Sequence, residues 1–359
     1  MIVVRQGRRQ FGSDALLRSF PACSAPAGQA LALILGIVLV LLAGCDGVQS
    51  PAPKDHADLQ SLRLGLSVDP NSSLLIVALG IGAFSEVGIE PRVAEYPSGK
   101  RALLDGLLAG REDLITVADV PVALAGFTDA PLRIVASVFS TDDVNRVVTR
   151  RSLGIERPGD LAGRTVGTQR GSAVHFFWHL FSLDQHIHDQ EQLRFLPAEE
   201  LPAALADGRI DAFSMREPFV TEARTLIGDD LLVFSAPGLY GQQHLLVSSE
   251  SMTRDHPDLL RRFVRALLAA EAYCRLQPEA AQALVAQFLS VPRERIAALW
   301  PDIALRVRLD QGLLLLLEEE ARWAMDAGLV PSGPLPNYLD FIDADVLAIE
   351  RPRAVTLIR

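Results

Sequence analysis

The sequence predicts an α/β protein of two lobes, each built on a mainly parallel sheet flanked by helices, with a helical C-terminal tail. Three observations support this class. Short strand-like and helix-like segments alternate with short connections up to about residue 142, and a second such series runs over 143–242. The remainder, 243–359, is mainly helical in pattern. Alternation of this kind is typical of parallel sheets with helices on both faces.

The first series combines four predicted strands with three predicted helices. The strands are expected at 62–68, 91–96, 113–117 and 132–139. Apolar residues recur with helical spacing over 74–87, where Gly88 ends the pattern. Ser98 is expected to open the second helix and Asp119 to cap the third. The polar turn that follows the first strand, 68–72, includes Asn71.

The second series contains the stretch around which the rest is organised, residues 163–177. It predicts a strand, a glycine turn at Gly171 and a helix that starts at Ser172 as N-cap. Four apolar residues then share one helix face, namely Val174, Phe177, Trp178 and Phe181. A helix start of this kind offers free backbone N–H groups to an anion or polar group, although an ordinary strand-to-helix turn has the same pattern.

Two α/β series in succession predict two lobes with a cleft between them. Ligands of open α/β sheets bind outside the carboxyl ends of the strands. The loops expected there are polar; they are 68–72, 96–99, 117–120, 139–142, 168–172 and 215–218. We assign 61–142 and 243–359 to lobe 1 and 143–242 to lobe 2, so the chain crosses between lobes near 140–145 and 240–243. These crossings are the expected hinges.

The N-terminus predicts export and a lipid anchor. A basic leader precedes an apolar run over 30–44, which is short for a membrane span and typical of a signal-peptide core. The run ends in Leu-Ala-Gly followed by Cys45, a pattern that resembles the bacterial lipobox. We therefore predict a signal peptide over 1–44, acylation of Cys45 and a proline-containing tether over 45–60.

Charge and cysteine content exclude several functions. Without residues 1–44 the chain keeps 30 basic and 43 acidic residues, a formal net charge of −13, which argues against a nucleic-acid partner. Besides Cys45, the mature chain has one cysteine, Cys274, so neither an internal disulfide nor a cysteine zinc cluster is expected. His175 and His179 have a spacing that suits a metal, but with no supporting cysteine we expect none.

Three stretches together resemble a known family. They are DLAGRTVG at 160–167 with GSAVH at 171–175, GRIDAFSMREPF at 208–219, and the segment from SES at 249–251 to the His-Pro pair at 256–257. They are similar to the periplasmic solute-binding proteins of ABC importers, in the nitrate/sulfonate/taurine (SsuA-like) and NMT1/THI5-like group. The resemblance covers roughly 60–345 and implies a two-lobed periplasmic-binding-protein fold of type II-like topology.

The resemblance implies a function in transport. A lipid-anchored lipoprotein of this group captures a small solute in the interlobe cleft, on the periplasmic side of the cell membrane, for an ABC permease in the inner membrane. The solute is expected to be a sulfonate-, nitrate- or taurine-like anion or a thiamine-precursor-like heterocycle. We expect a monomer without cofactor or catalytic residues. The alternative is a THI5-like biosynthetic enzyme on the same fold, but that resemblance requires a cysteine-rich motif that Cys274 alone does not supply.

The resemblance also implies the ligand contacts. They fall on Ser98, Gly99, Asp119, Val120, Gly171, Ser172, Ala173, His175 and the turn that contains Glu217, to which we add Asn71 from the first polar loop. The sequence departs from the family where an aromatic residue often precedes Glu-Pro, because Arg216 stands there. Arg216 is either a bidentate anion ligand or a solvated loop charge.

Overall fold

The computed structural model describes residues 59–358. The predicted signal peptide, the predicted acylation site Cys45 and nearly all of the predicted tether lie outside the described residues. Within 59–358, none of the helices combines the length and the hydrophobicity that crossing a bilayer demands.

The first sheet has six strands in the order β11-β4-β10-β3-β1-β2. Their bounds are β1 Gln60–Ser67, β2 Ile89–Tyr96, β3 Leu114–Ala118, β4 Leu132–Thr141, β10 Gln242–Ser249 and β11 Ile303–Ala304. Strand β1 pairs in parallel with β2 and β3, whereas β10 runs antiparallel to both β3 and β4, and β11 runs antiparallel to β4. Strands β1 to β4 therefore share one direction and place their carboxyl ends along one edge.

The second sheet has five strands in the order β7-β6-β8-β5-β9. They are β5 Arg146–Arg150, β6 Thr165–Thr168, β7 Gln192–Phe195, β8 Ala212–Met215 and β9 Leu231–Phe234. Strand β5 is antiparallel to both of its neighbours, and the other four share one direction. A small parallel pair, β12 Leu309–Asp310 and β13 Val355–Thr356, lies near the C-terminus. Each large sheet is thus mainly parallel, as predicted, with β10 and β11 reversed in the first sheet and β5 reversed in the second.

Helices flank both sheets. They are α1 Ser73–Gly80, α2 Ala83–Glu86, α3 Gly99–Arg101, α4 Asp119–Ala125, α5 Ala173–Asp184, α6 Leu201–Ala206, α7 Phe219–Ile227, α8 Glu250–Asp255, α9 Pro257–Leu276, α10 Pro278–Leu289, α11 Arg293–Leu299, α12 Gln311–Asp326 and α13 Asp345–Glu350. Helix α3 continues as a π-helical turn over Ala102–Leu107. The six described α-helices after α7 all lie in the C-terminal region 243–359, which agrees with the predicted helical tail.

The structure corrects three local predictions. Asp119, expected to cap the third helix of the first series, is instead the first residue of α4 and follows the N-cap Ala118. The single helix expected over 74–87 is divided into α1 and α2, because Gly82 adopts a left-handed conformation with φ 73°. Ser172 does occupy the N-cap position of α5, but the predicted side-chain cap is wrong. Its Oγ donates instead to the carbonyl oxygen of Gln169 at 2.6 Å, which leaves the first turn of α5 without that cap.

A buried aromatic cluster joins elements of both sheets. The Phe176 ring on α5 lies 5.2 Å from that of Tyr240 and 5.1 Å from that of Trp323 on α12, centroid to centroid. Val120 on α4 packs in the same cluster. Because α4 follows a strand of the first sheet and α5 a strand of the second, this apolar contact and helix α12 hold the two halves together.

Two segments connect the sheets. The chain leaves the first sheet at Thr141 and enters the second at Arg146; it leaves the second at Phe234 and returns at Gln242. The Asn145 side chain donates to Gln242 Oε1 at 3.1 Å, so the two connections lie side by side. Paired connections of this kind are suited to a hinge.

Gly99 provides a test of the packing between α3 and the first sheet. A Cβ added there would lie 2.7 Å from the Cα of Val117 and 2.9 Å from the carbonyl oxygen of Thr116, both backbone atoms. We expect Gly99→Ala to lower the free energy of unfolding by about 1–3 kcal/mol in urea denaturation. Gly159→Ala is the control, since a Cβ at Gly159 meets nothing within 4 Å. Equal stability of the two variants would contradict this packing argument.

Candidate functional site

The candidate site lies where loops from the carboxyl ends of the two sheets approach each other. Asp69 follows β1 of the first sheet, and Arg216 follows β8 of the second. Arg216 Nη2 lies 3.8 Å from Asp69 Oδ2, and the two side chains are only 14% and 7% exposed. Of the two alternatives for Arg216, the solvated loop charge does not fit the structure. Its guanidinium is largely buried and faces a carboxylate that belongs to the other sheet.

The first-sheet side of this site is lined by a chain of buried hydroxyl groups. Ser72 Oγ lies 3.0 Å from Thr116 Oγ1 and 2.9 Å from Ser67 Oγ. Ser67 Oγ in turn lies 3.4 Å from His244 Nε2. The chain fixes the loop after β1 against β3 and β10, because each hydroxyl can donate one hydrogen bond and accept another.

His244 is a neutral imidazole at the base of the site. Burial lowers its pKa to about 4; the charge of Asp69 opposes this decrease, and the charge of Arg216 adds to it. Its ring is 1% exposed, and among the described residues its Nδ1 has no hydrogen-bond partner. This neutral imidazole therefore adds no positive charge to the site.

Asn71 and Asp69 are held by the same turn. Asp69 is the N-cap of the 3-10 turn Pro70–Ser72, and its Oδ1 accepts a hydrogen bond from the Asn71 N–H at 2.9 Å. Within the part of the chain that the structure describes, Asp69 Oδ2 and Asn71 Nδ2 are buried without hydrogen-bond partners. Asn71, predicted as a ligand contact, thus presents an unused donor beside an unused acceptor.

In the glycine turn before α5, a backbone N–H is bonded to a side chain of that helix. The Gly171 N–H donates to His175 Nδ1 at 3.3 Å, so the proton of the neutral ring is on Nε2. The His175 ring lies between those of Phe195 and Trp323, each 4.9 Å away, and burial lowers its pKa to about 4. The N–H of Gly171, a predicted ligand contact, is therefore bonded within the turn itself.

A second contact joins the two sheets beside this turn. Lys100 Nζ on α3 donates to the carbonyl oxygen of Arg170 at 2.8 Å, and burial together with the Arg170 charge lowers the pKa of Lys100. The Arg170 guanidinium lies over the Phe195 ring, 5.1 Å from its centroid. The loop after β6 is thereby held against the helix that follows β2.

Asp119, a predicted ligand contact, has another role. It is fully buried, and its carboxylate accepts hydrogen bonds from the Tyr240 hydroxyl at 2.6 Å, the Gln243 N–H at 2.7 Å and the Val120 N–H at 2.9 Å. Tyr240 Oη also lies 3.0 Å from Oε1 of the fully buried Glu320 on α12. The carboxylate of Asp119 is therefore fully engaged inside the protein.

Burial opposes the charged form of both acids in this cluster. Burial raises the pKa of Asp119 to about 6, although its hydrogen bonds oppose the increase. Burial, reinforced by the charge of Asp119, raises the pKa of Glu320 well above its ordinary value. The protonated form that burial favours at Glu320 can donate a hydrogen bond to the Tyr240 oxygen, while the Tyr240 hydroxyl donates to Asp119.

The remaining predicted contacts take part in helix capping or in the packing of the core. Ser98 is the N-cap of α3 and accepts from the Arg101 N–H at 3.3 Å. Val120 and Ala173 are buried in the aromatic cluster. Glu217 Oε2 accepts from the Thr221 N–H at 3.1 Å, at the start of α7. Of the predicted set, Asn71 and Arg216 are the two that the structure brings to opposite sides of one polar site.

Sequence reasoning missed Asp69, Ser67, Thr116 and His244 as site residues. Ser67, Asp69 and Thr116 lie in or beside the carboxyl ends of predicted strands, where polar side chains indicate a ligand site. The sequence also offers a reason to select His244, because it is the one titratable residue of an otherwise apolar strand segment over 244–247. Among the described residues, no group of three or more histidine, cysteine, aspartate or glutamate side chains is arranged to hold a metal ion.

Comparison with a family model decides the family. The model described as NMT1/THI5 like matches residues 69–281, more than half of the chain. The chain belongs to the NMT1/THI5-like family. The match begins at Asp69 and includes the second sheet and all of the polar site except Ser67.

Two relatives of this NMT1/THI5-like protein are binding proteins by name. An aliphatic sulfonates-binding protein of Bacillus subtilis is 27% identical over 239 residues, which cover 65% of this chain and 70% of the relative. The riboflavin-binding protein RibY of Chloroflexus aurantiacus is 23% identical over 292 residues, or 72% of this chain and 78% of RibY.

Solved structures show the same fold. The periplasmic aliphatic sulphonate binding protein SsuA of Escherichia coli has a TM-score of 0.66 at 20% identity, with 79% of this chain and 92% of SsuA covered. SsuA of Xanthomonas axonopodis pv. citri, bound to MOPS, has a TM-score of 0.67 at 19% identity, with 80% and 99% covered. The predicted periplasmic-binding-protein fold is confirmed.

Glu320 gives a test of the buried acid cluster. Because its folded pKa is raised, its contribution to stability is complete below about pH 4.5 and is lost as the pH rises. Glu320→Gln keeps the shape and cannot ionise, so we expect the stability of this variant relative to wild type to increase between pH 5 and pH 8. Urea denaturation at several pH values measures this difference.

The control for this experiment is Glu319→Gln, an exposed neighbour on the same helix. We expect the pH profile of this variant to follow that of the wild type. If Glu320→Gln and wild type lose stability in parallel from pH 5 to pH 8, Glu320 is not the buried neutral acid described above.

Proposed function

We propose that this chain is the lipid-anchored, extracytoplasmic solute-binding component of an ABC importer. It captures a small solute between two lobes and presents it to a permease of the inner membrane. The observation that carries the proposal is the meeting of Asp69 and Arg216, since loops from the carboxyl ends of both sheets form one buried polar site. The names of the two relatives support a binding role.

The proposed lobes follow the two sheets. Lobe 1 comprises 61–142 and 243–359, and lobe 2 comprises 143–242. The membership of the strands supports this division, because β5 to β9 form the second sheet, while β1 to β4 lie in the same sheet as the returning β10. The adjacent connections, joined by the Asn145–Gln242 hydrogen bond, are the proposed hinge.

The ligand contacts that we propose are those of the polar site and its rim. Arg216 and Asn71 face the solute directly, and Ser98, Gly99, Gly171, Ser172, Ala173, His175 and Glu217 belong to the loops around it. We propose that Asp119 and Val120 act through the packing of α4, since both are buried. No cofactor, metal or catalytic residue belongs to this proposal, and the protein is proposed to act as a monomer.

Calorimetry with a panel of solutes tests the binding role. The panel comprises nitrate, alkylsulfonates, taurine, bicarbonate, formylaminopyrimidines and riboflavin. We expect at least one oxyanion to bind, and Arg216→Ala to weaken it by about 10- to 150-fold, the range for loss of a charged hydrogen bond of roughly 1.5–3 kcal/mol. Arg295→Ala, which removes an exposed arginine of α11, is the control.

Scattering from the same samples tests the hinge, because solute capture by hinge closure reduces the radius of gyration. Saturation without any change in radius would contradict hinge closure. Turnover of a panel member, rather than binding, would favour the THI5-like enzyme instead.

The proposed anchor predicts the behaviour of a Cys45→Ser variant. Without the thiol, lipid cannot be attached, so we expect an unprocessed precursor or release of the protein from the membrane fraction. Fractionation and mass spectrometry of the N-terminus measure both outcomes. Maturation with retention in the lipid phase would show that Cys45 is not the acylated residue.

A further inference from the structure

Asp69 and Arg216 place opposite charges on the two sides of the proposed solute site. Arg216 Nη2 and Asp69 Oδ2 are 3.8 Å apart, beyond the ordinary length of a hydrogen bond, and both side chains are largely buried. An anion that pairs with the Arg216 guanidinium and offers no donor to Asp69 leaves the Asp69 carboxylate without its counter-charge. Such a buried, uncompensated charge opposes binding.

The Asp69 carboxylate is held in place and cannot turn away from an incoming solute. Its Oδ1 accepts from the Asn71 N–H, as the N-cap of the turn that follows β1. Its Oδ2, the oxygen that faces Arg216, is buried and makes no hydrogen bond with any residue of 59–358. This oxygen is therefore a fixed, unused acceptor that requires a donor.

The surroundings of Asp69 also lack the character of a simple anion site. His244, whose Nδ1 is unpartnered within the described chain, is neutral, so it adds no positive charge against an anion. The hydroxyl groups of Ser67, Ser72 and Thr116 are already bonded to one another. Asn71 Nδ2 adds one neutral donor. The site thus combines one cation, one anion and neutral polar groups.

We propose that Asp69 is a specificity-determining residue, which selects solutes that carry an ammonium or N–H donor close to an oxyanion. The oxyanion pairs with Arg216, and the donor pairs with Asp69 Oδ2, so the solute replaces the contact between the two side chains with two of its own. Simple alkyl anions satisfy Arg216 but not Asp69 and are discriminated against. This inference rests on the proposed function, because it concerns the solute of the same site.

Two matched pairs of solutes test the inference by calorimetry. Taurine and ethanesulfonate differ by an amino group, as do β-alanine and propionate. We expect wild-type protein to bind the amino member of at least one pair about tenfold or more tightly than its partner, the effect of one charged hydrogen bond. Equal affinity within each pair that binds would overturn the inference.

Variants of Asp69 distinguish a role in solute specificity from a role in holding the turn after β1. Asp69→Asn retains the Oδ1 acceptor for the Asn71 N–H, and Asp69→Ser retains an N-cap side chain, so one of them is expected to fold even if the other does not. Both remove the charge. We expect the amino solute to bind about tenfold more weakly and its partner to bind more tightly, because Arg216 loses its competing acid. Asp302→Asn, an exposed carboxylate, is the control.

The outcomes distinguish this inference from the proposed function. Equal weakening of both members of a pair would assign Asp69 a purely structural role and overturn the inference. Binding of another panel member, such as nitrate or riboflavin, with none of the four paired solutes bound, would also overturn it while the transport proposal stands. Binding of no panel member would overturn both.

Discussion

One phenol hydroxyl, that of Tyr240, connects three distant parts of this chain. It donates to Asp119 at the start of α4 and lies against Glu320 on α12, while Tyr240 itself precedes the strand that returns to the first sheet. Two carboxyl groups in a fully buried position are tolerated because Glu320 is neutral and Asp119 receives several donors. The fold depends on this arrangement where α4, α12 and the returning connection meet.

The same cluster positions the candidate site. The Asp119 carboxylate accepts from the Gln243 N–H, and the next residue, His244, lies on β10 against Ser67. The hydroxyl chain then fixes the loop that carries Asp69 and Asn71. A buried structural acid therefore determines where the polar side chains that face Arg216 are placed, although it does not itself face a solute. Positioning from behind in this way is typical of binding sites with rigid support.

Local sequence patterns were sufficient to predict most of the strands and helices. Strand and helix segments with clear periodicity were predicted close to their observed bounds, and the N-cap at Ser98 was predicted correctly. Gly82 was missed as a helix break because the apolar spacing continues through it, although glycine readily adopts the left-handed conformation observed there. At Ser172 the residue type predicted a cap, but the Gln169 carbonyl oxygen competed successfully for its hydroxyl.

The site was harder to predict because its pairs are far apart in sequence. Nothing near Arg216 indicates that its partner is Asp69, and nothing near Asp119 indicates that Tyr240 and Glu320 surround it. Glu320 is one of three consecutive glutamates on α12, and only the rotation of the helix decides that this one is buried. Asp119 was assigned to the ligand by family resemblance, whereas its complete burial gives it a structural role.

A crystal structure of the protein with the solute that it binds most tightly is the most direct test of the proposed site. We expect electron density for the solute between the loops after β1 and β8, in contact with Arg216 and with Asp69 and Asn71 on the opposite side. Solute bound elsewhere, for example in the surface depression lined by Arg133, Asn337 and Asp343, with Asp69 and Arg216 still facing each other, would contradict it.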